Sequence, residues 1–189
     1  GNPSSVHAHG IAAHHRLRQA REQVASALGA EPDRVFFTSG GTEADNWAIF
    51  SAAERLGKRG HHIVTTAVEH HAVLNCCQQL EQEGWEVTTI LPDQNGDISA
   101  ESVLAAVRPD TALVSVMMVN NELGTRVDTE KLAKLVKTAN PRTAVHIDAV
   151  QGWMRVPFRL DNIDSLAVSG HKIHAPKGVG ALFLRKGYS

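Results

Sequence analysis

A handful of short segments carry side chains whose types and spacing suggest chemistry. Ser39-Gly40-Gly41-Thr42-Glu43 follows an apolar run and opens a helical stretch. Two glycines allow a tight turn. Unpaired N–H groups at a helix start can then cradle a phosphate, with the Thr42 hydroxyl as a further donor. A threonine N-cap with no ligand would read the same way. No GxGxxG fingerprint and no P-loop Lys-Ser/Thr pair is present, so a small phosphorylated cofactor fits better than a dinucleotide or ATP. Glu69-His70-His71 offers a flat imidazole that can stack on an aromatic ring or shuttle a proton near neutral pH. The plainer reading is a loop or helix-cap histidine. Asn120-Asn121-Glu122-Leu123-Gly124 carries two amides, which suit either a turn closed by Gly124 or a contact to a ligand.

Asp148 ends an apolar run, and Gln151 lies three residues later. A partly buried carboxylate is costly unless a positive group meets it, and the nearest basic residues in sequence are Arg142 and Arg155. A protonated pyridine nitrogen is a suitable partner, with Gln151 placed to reach the same ligand. A salt bridge to a distant arginine is the structural alternative. Ser169-Gly170-His171-Lys172 also follows an apolar run. A lysine kept partly deprotonated by desolvation or nearby positive charge can form a Schiff base, and Ser169 and His171 could grip a phosphate. Lys177 is the rival lysine, but it sits in a Pro/Gly turn that favours a solvated side chain. Together these segments supply a phosphate cradle, a stacking ring, a pyridinium partner and a Schiff-base lysine.

These residues need a scaffold that gathers them. The sequence alternates β-rich runs with amphipathic ones. Helices are expected over residues 12–28, 42–56, 72–83, 99–107 and 128–138. Strands are expected over 35–38, 62–66, 86–91, 112–117, 144–148, 165–169 and 180–184. The run 112–117 is apolar without clean alternation, as in a strand buried on both faces. The last strand follows 165–169 too closely for a crossover helix, so antiparallel pairing is expected there. The expected fold is therefore three-layer α/β, with a mostly parallel central sheet, helices on both faces and a final antiparallel strand. Ligands in such sheets gather beyond the carboxyl ends of the strands, where every candidate above falls.

Composition narrows the function classes. At 189 residues, with 42% hydrophobic and 21% charged side chains, the chain can bury one substantial core. A net charge of -1, from 19 basic and 20 acidic residues, gives no basis for nucleic-acid binding. No apolar run is long enough to span a bilayer, and no signal-peptide pattern opens the sequence. The two cysteines, Cys76 and Cys77, are adjacent and cannot form a stapling disulfide. A reducing, cytoplasmic setting fits. The 11 histidines fall mostly in neighbouring pairs without CxxC or HExxH support, and no metal site is expected.

The runs GNPSSVH, FTSGGTEADN, TAVEHHAV, VNNELG, HIDAVQ and SGHKIHAPKGVGALF, in this order along the chain, also carry a family resemblance. The sequence resembles the cysteine desulfurases, within the class V aminotransferase-like branch of fold-type I pyridoxal-phosphate enzymes. The resemblance implies that Gly41 and Thr42 bind the cofactor phosphate and that His70 stacks on the ring and moves protons. It places Asn121 against the cofactor or substrate, Asp148 on the pyridinium nitrogen and Gln151 on the ring oxygen. Ser169 and His171 would bind phosphate with Gly170 between them, and Lys172 would carry the Schiff base. It further implies removal of sulfur from L-cysteine to give alanine and a cysteine persulfide. That sulfur would pass to an acceptor such as an iron–sulfur scaffold, and the enzyme would act as a homodimer. Residues 1–189 would then be the large cofactor-binding domain, incomplete at both ends. The small C-terminal domain, the persulfide-cysteine loop and the substrate-carboxylate arginine would lie outside it. Selenocysteine lyases share most of these motifs. Other class V enzymes and a noncatalytic structural subunit are further alternatives.

Overall fold

A computed structural model describes residues 1–188. Seven strands alternate with five α-helices: α1 (Ala8–Leu28), β1 (Val35–Thr38), α2 (Gly41–Leu56), β2 (His62–Thr66), α3 (His71–Gln82), β3 (Glu86–Ile90), α4 (Ala100–Ala105), β4 (Thr111–Met117), α5 (Thr129–Ala139), β5 (Ala144–Asp148), β6 (Ser165–Ser169) and β7 (Gly180–Leu184). All seven strands form one sheet in the order β1-β7-β6-β5-β4-β2-β3. Every pairing is parallel except the two made by β7, which runs antiparallel to β6 and to β1. The last strand is therefore antiparallel as expected, but it sits inside the sheet, wedged between two strands that run the other way.

Side-chain alternation divides the core into two layers. Val64, Val114, Val116, Val145, Ile147, Leu166 and Val168 pack with α1, α4 and α5 on one face. Ile63, Leu113, Ala144, Ala167 and Leu182 pack with α2 and α3 on the other. Strands β2, β4, β5, β6 and β7 are buried throughout, whereas the edge strands β1 and β3 are only partly so. This accounts for the unbroken apolar character of 112–117: both faces of β4 are covered.

The helix ends show how the chain is punctuated. Gly29 closes α1 in the left-handed region at φ 71°, and its N–H returns to the carbonyls of Ala25 and Ser26. Ser99 and Asp128 cap α4 and α5 with side-chain oxygens. Helix α1 begins one turn earlier than expected because His7 Nδ1 accepts the Gly10 N–H at 3.2 Å, a cap that histidine seldom supplies. Likewise, His70 Nδ1 caps α3 by accepting the Ala72 N–H at 3.1 Å. At α2 the capping residue is Gly40, and Thr42 lies one residue inside the helix rather than at the cap.

Candidate functional site

The parallel register brings strand ends together. Met117 pairs with Asp148, and Asp148 with Ala167, so the loops after β4, β5 and β6 leave one edge of the sheet side by side. The start of α2 and the His70 turn flank them. One pocket lies at this edge, enclosing about 540 Å³ including its open mouth. Gly41, Thr42, Asp45, His70, Met117, Asn121, Asp148, Val150, Gln151, Ser169, His171 and Lys172 line it. Of the residues to which the family resemblance gives a cofactor or catalytic role, only Gly170 is not on the pocket wall. It is buried behind it, donating its N–H to the Val179 carbonyl at 2.9 Å.

At one end of the pocket the first turn of α2 presents free N–H groups. Gly41 is tightly placed: an added Cβ would stand 2.5 Å from Val150 Cγ2. Ser169 Oγ lies 2.8 Å from His171 Nδ1, adding a hydroxyl and an imidazole to the same wall. Backbone N–H groups, hydroxyls and a helix N-terminus form a donor set suited to a phosphate.

Deeper in, Asp148 is 4% exposed. Its Oδ1 accepts the Val150 N–H at 2.9 Å. Among the described residues no lysine or arginine pairs with it, so the distant salt bridge entertained from sequence is not what the structure holds. Burial, with a smaller contribution from Asp45, pushes its carboxyl up to about 7. A cationic N–H presented by a ligand would relieve both the burial cost and the missing partner.

The amide pair after β4 divides its labour. Asn120 is buried, donating to the Val68 carbonyl at 2.9 Å and accepting N–H groups from Glu122 and Leu123 at 2.9 and 2.7 Å. Asn121 faces the pocket. The His70 alternatives merge, since the ring that caps α3 also lines the pocket. With Nδ1 accepting from Ala72, neutral His70 carries its proton on Nε2. Lys172 follows β6 in a short 3-10 turn, Gly170–Ile173, and is half-buried on the pocket wall. Lys177 is exposed and lies outside the pocket.

The sequence matches the family Aminotransferase class-V over residues 1–189. The chain belongs to that family. It is 44% identical over 189 residues, 99% of this chain and 46% of the relative, to cysteine desulfurase IscS of Methanosarcina thermophila. It is 46% identical over 188 residues, 98% of this chain and 49% of the relative, to putative cysteine desulfurase IscS 1 of Bacillus subtilis (strain 168). A solved NifS-like protein superposes with a TM-score of 0.95 at 43% identity, over 99% of this chain and 52% of that one. The structure of SspA in complex with cysteine gives 0.92 at 41%, over 98% and 54%. The chain spans about half the length of the curated relatives it matches.

Sequence reasoning overlooked one ionisable pocket residue of this class-V aminotransferase chain. Asp45 is 1% exposed, and its Oδ1 lies 3.1 Å from His146 Nε2, whose Nδ1 lies 2.8 Å from Ser165 Oγ. Burial drives the Asp45 carboxyl well above the usual carboxylate range and the His146 imidazole down to about 4. Both move toward their neutral forms, so this contact is a neutral hydrogen bond rather than an ion pair. The signal was present: Asp45 falls at core spacing with Ile49, Ala52 and Leu56 on the buried face of α2. Among the described residues no group of three or more His, Cys, Asp or Glu could hold a metal ion. No helix among them is long and apolar enough to cross a membrane.

Proposed function

We propose that this chain is the cofactor-binding part of a pyridoxal-phosphate-dependent cysteine desulfurase. The observation that carries the reading is the presence of Asp148 and Lys172 in one pocket with no ion pair between them among the described residues: a buried acid lacking a protein cation, and a half-buried amine on a neighbouring loop. Similarity to relatives named cysteine desulfurase, and to a structure described as holding cysteine, supports L-cysteine as the substrate.

When bound, pyridoxal phosphate would supply an electron sink for cleavage of the substrate Cα–H bond. The first turn of α2, with Thr42, Ser169 and His171, would hold the phosphate. Asp148 would keep the ring nitrogen protonated, and Gln151 would meet the ring oxygen. His70 would stack over the ring and pass a proton through Nε2. Lys172 would anchor the cofactor through its amine, and Asn121 would contact the cofactor or the substrate.

The desulfurase reaction transfers the substrate sulfur to a thiol, leaving alanine and a persulfide. Cys76 and Cys77 are both buried, and burial pushes their thiols up to about 11 and about 12. Neither is a competent nucleophile near neutral pH, which supports an acceptor thiol supplied from outside these residues. The complete enzyme would act as a cytoplasmic homodimer and hand sulfur to an acceptor such as an iron–sulfur scaffold.

The test is reconstitution with pyridoxal phosphate, reduction with borohydride and peptide mapping. A visible absorption band with the label on Lys172 is the expected result. A label on Lys177, or unspecific labelling of surface lysines, would discard the assignment.

A further inference from the structure

Arg155 lies beyond the pocket wall, yet it contacts two of the pocket's loops. Its Nη1 donates to Gln151 Oε1 at 2.9 Å, and its Nη2 donates to the carbonyl oxygen of Lys172. A guanidinium carries only donors, so it can meet only the oxygen end of the Gln151 amide. That chemistry fixes an orientation otherwise ambiguous between oxygen and nitrogen. The Gln151 NH2 makes no hydrogen bond among the described residues, and Gln151 lines the pocket. The Lys172 carbonyl belongs to the turn that carries the reactive amine.

We propose that Arg155 is a positioning residue. It holds the Gln151 amide with its NH2 toward the pocket, as a donor to an anionic ring oxygen. It also ties the turn after β5 to the turn bearing Lys172. The donor and the amine are thereby held in register by one planar, two-pronged cation. The identity of the acceptor rests on the cofactor reading above; the clamp itself does not. An ammonium at this position could satisfy one carbonyl or the other, but its single point charge cannot fork to both in one plane.

The test compares wild-type protein with R155M and R155K in two arms. Without cofactor, hydrogen exchange is followed at the His174 and Ala175 amides, which bond to the Gly170 carbonyl. The side-chain NH2 signals of Gln151 are recorded alongside. R155M is expected to speed exchange at those two amides by about three- to tenfold, as befits one exposed charge-assisted hydrogen bond. It should also shift the Gln151 signals, while amides of β5 and β6 stay protected. Signals and rates that overlay the wild type would overturn the proposal.

With pyridoxal phosphate added, the pH midpoint of the visible band is titrated. Losing a donor to the ring oxygen should raise that midpoint by about half a unit in R155M, with partial return in R155K. An unchanged midpoint in R155M would overturn the positioning role even if exchange quickened, since a purely structural contact would affect exchange alone. If wild-type protein forms no Lys172-linked band, the cofactor reading falls, and the cofactor-free arm still decides the clamp.

Discussion

Two buried acids, Asp148 on the pocket wall and Glu69 next to His70 in the chain, behave differently when changed to amides. Asp148→Asn keeps an oxygen for the Val150 N–H but cannot pair with a ring cation. It should weaken pyridoxal-phosphate binding by about 10- to 100-fold, the worth of a hydrogen bond to a charged group. Because burial already pushes Asp148 up to about 7, the same change should leave cofactor-free stability at pH 8 unchanged or improved. A fluorescence titration paired with urea unfolding reads both effects, and parallel losses in the two would contradict the assignment. Glu69 immediately precedes His70. Its Oε1 accepts the Thr66 hydroxyl at 2.6 Å and the Met117 N–H at 3.0 Å, bridging the ends of β2 and β4, while Oε2 is buried without a partner. Burial raises its carboxyl to about 8. The folded chain therefore binds an extra proton between about pH 4.5 and 8, and this contribution to stability is lost as pH rises through that window. Glu69→Gln should match wild type near pH 4 and exceed it above pH 8, by on the order of 5 kcal/mol. Unfolding curves at pH 4, 7 and 9 check the slope; a constant difference across pH would rule the linkage out.

Strands and helices were legible in sequence wherever burial is two-sided or punctuation is chemical. The apolar runs of β4, β5 and β6 announce a parallel sheet, and its rule for ligand sites points to the strand ends, where motif and resemblance picked out nine of the twelve pocket-lining residues but not Asp45, Met117 or Val150. What stayed hidden depends on partners distant in sequence or on uncommon caps. His7 caps α1 through a ring nitrogen, a use that propensity does not advertise, whereas a capping histidine was among the readings weighed for His70. Asp45 looks like an ordinary helix carboxylate until α2 is laid against β5, where it meets His146. The position of β7 between β1 and β6 is likewise set by packing rather than by local pattern. That placement makes a sharp prediction at Gly180, where an added Cβ would stand 2.7 Å from the Gly40 backbone and 2.7 Å from the Val168 carbonyl. Backbone cannot swing aside as a side chain can. Gly180→Ala should cost about 1–3 kcal/mol and displace the turn leading into α2. Thermal unfolding together with phosphate-site affinity would report it, and an unperturbed affinity would show that the turn tolerates the push.

At the scale of the molecule, the two core layers meet across a sheet in which four of the six neighbouring pairs are consecutive strands, while one pair, β1 with β7, joins the two ends of the series. Val35 pairs with Phe183 and Thr38 with Gly180, so the first of the seven strands in chain order is held by the seventh. Strands β2 to β6 can pair among themselves as they appear, since their partners are already present or close behind. β1 has no partner until β7 arrives, and the glycine turn that begins α2 hangs from β1. Closing so long a loop is entropically late, and pairings of this kind mature slowly. In a refolding pulse-labelling experiment the amides shared by β1 and β7 should be the last of the sheet to gain protection, well after those between β4 and β5. Amides of β1 protected as early as those of β4 would show that order to be wrong. During synthesis the chain would thus carry five paired strands with the β6 edge still open, and the glycine turn that begins α2 would be assembled only when β7 seals that edge.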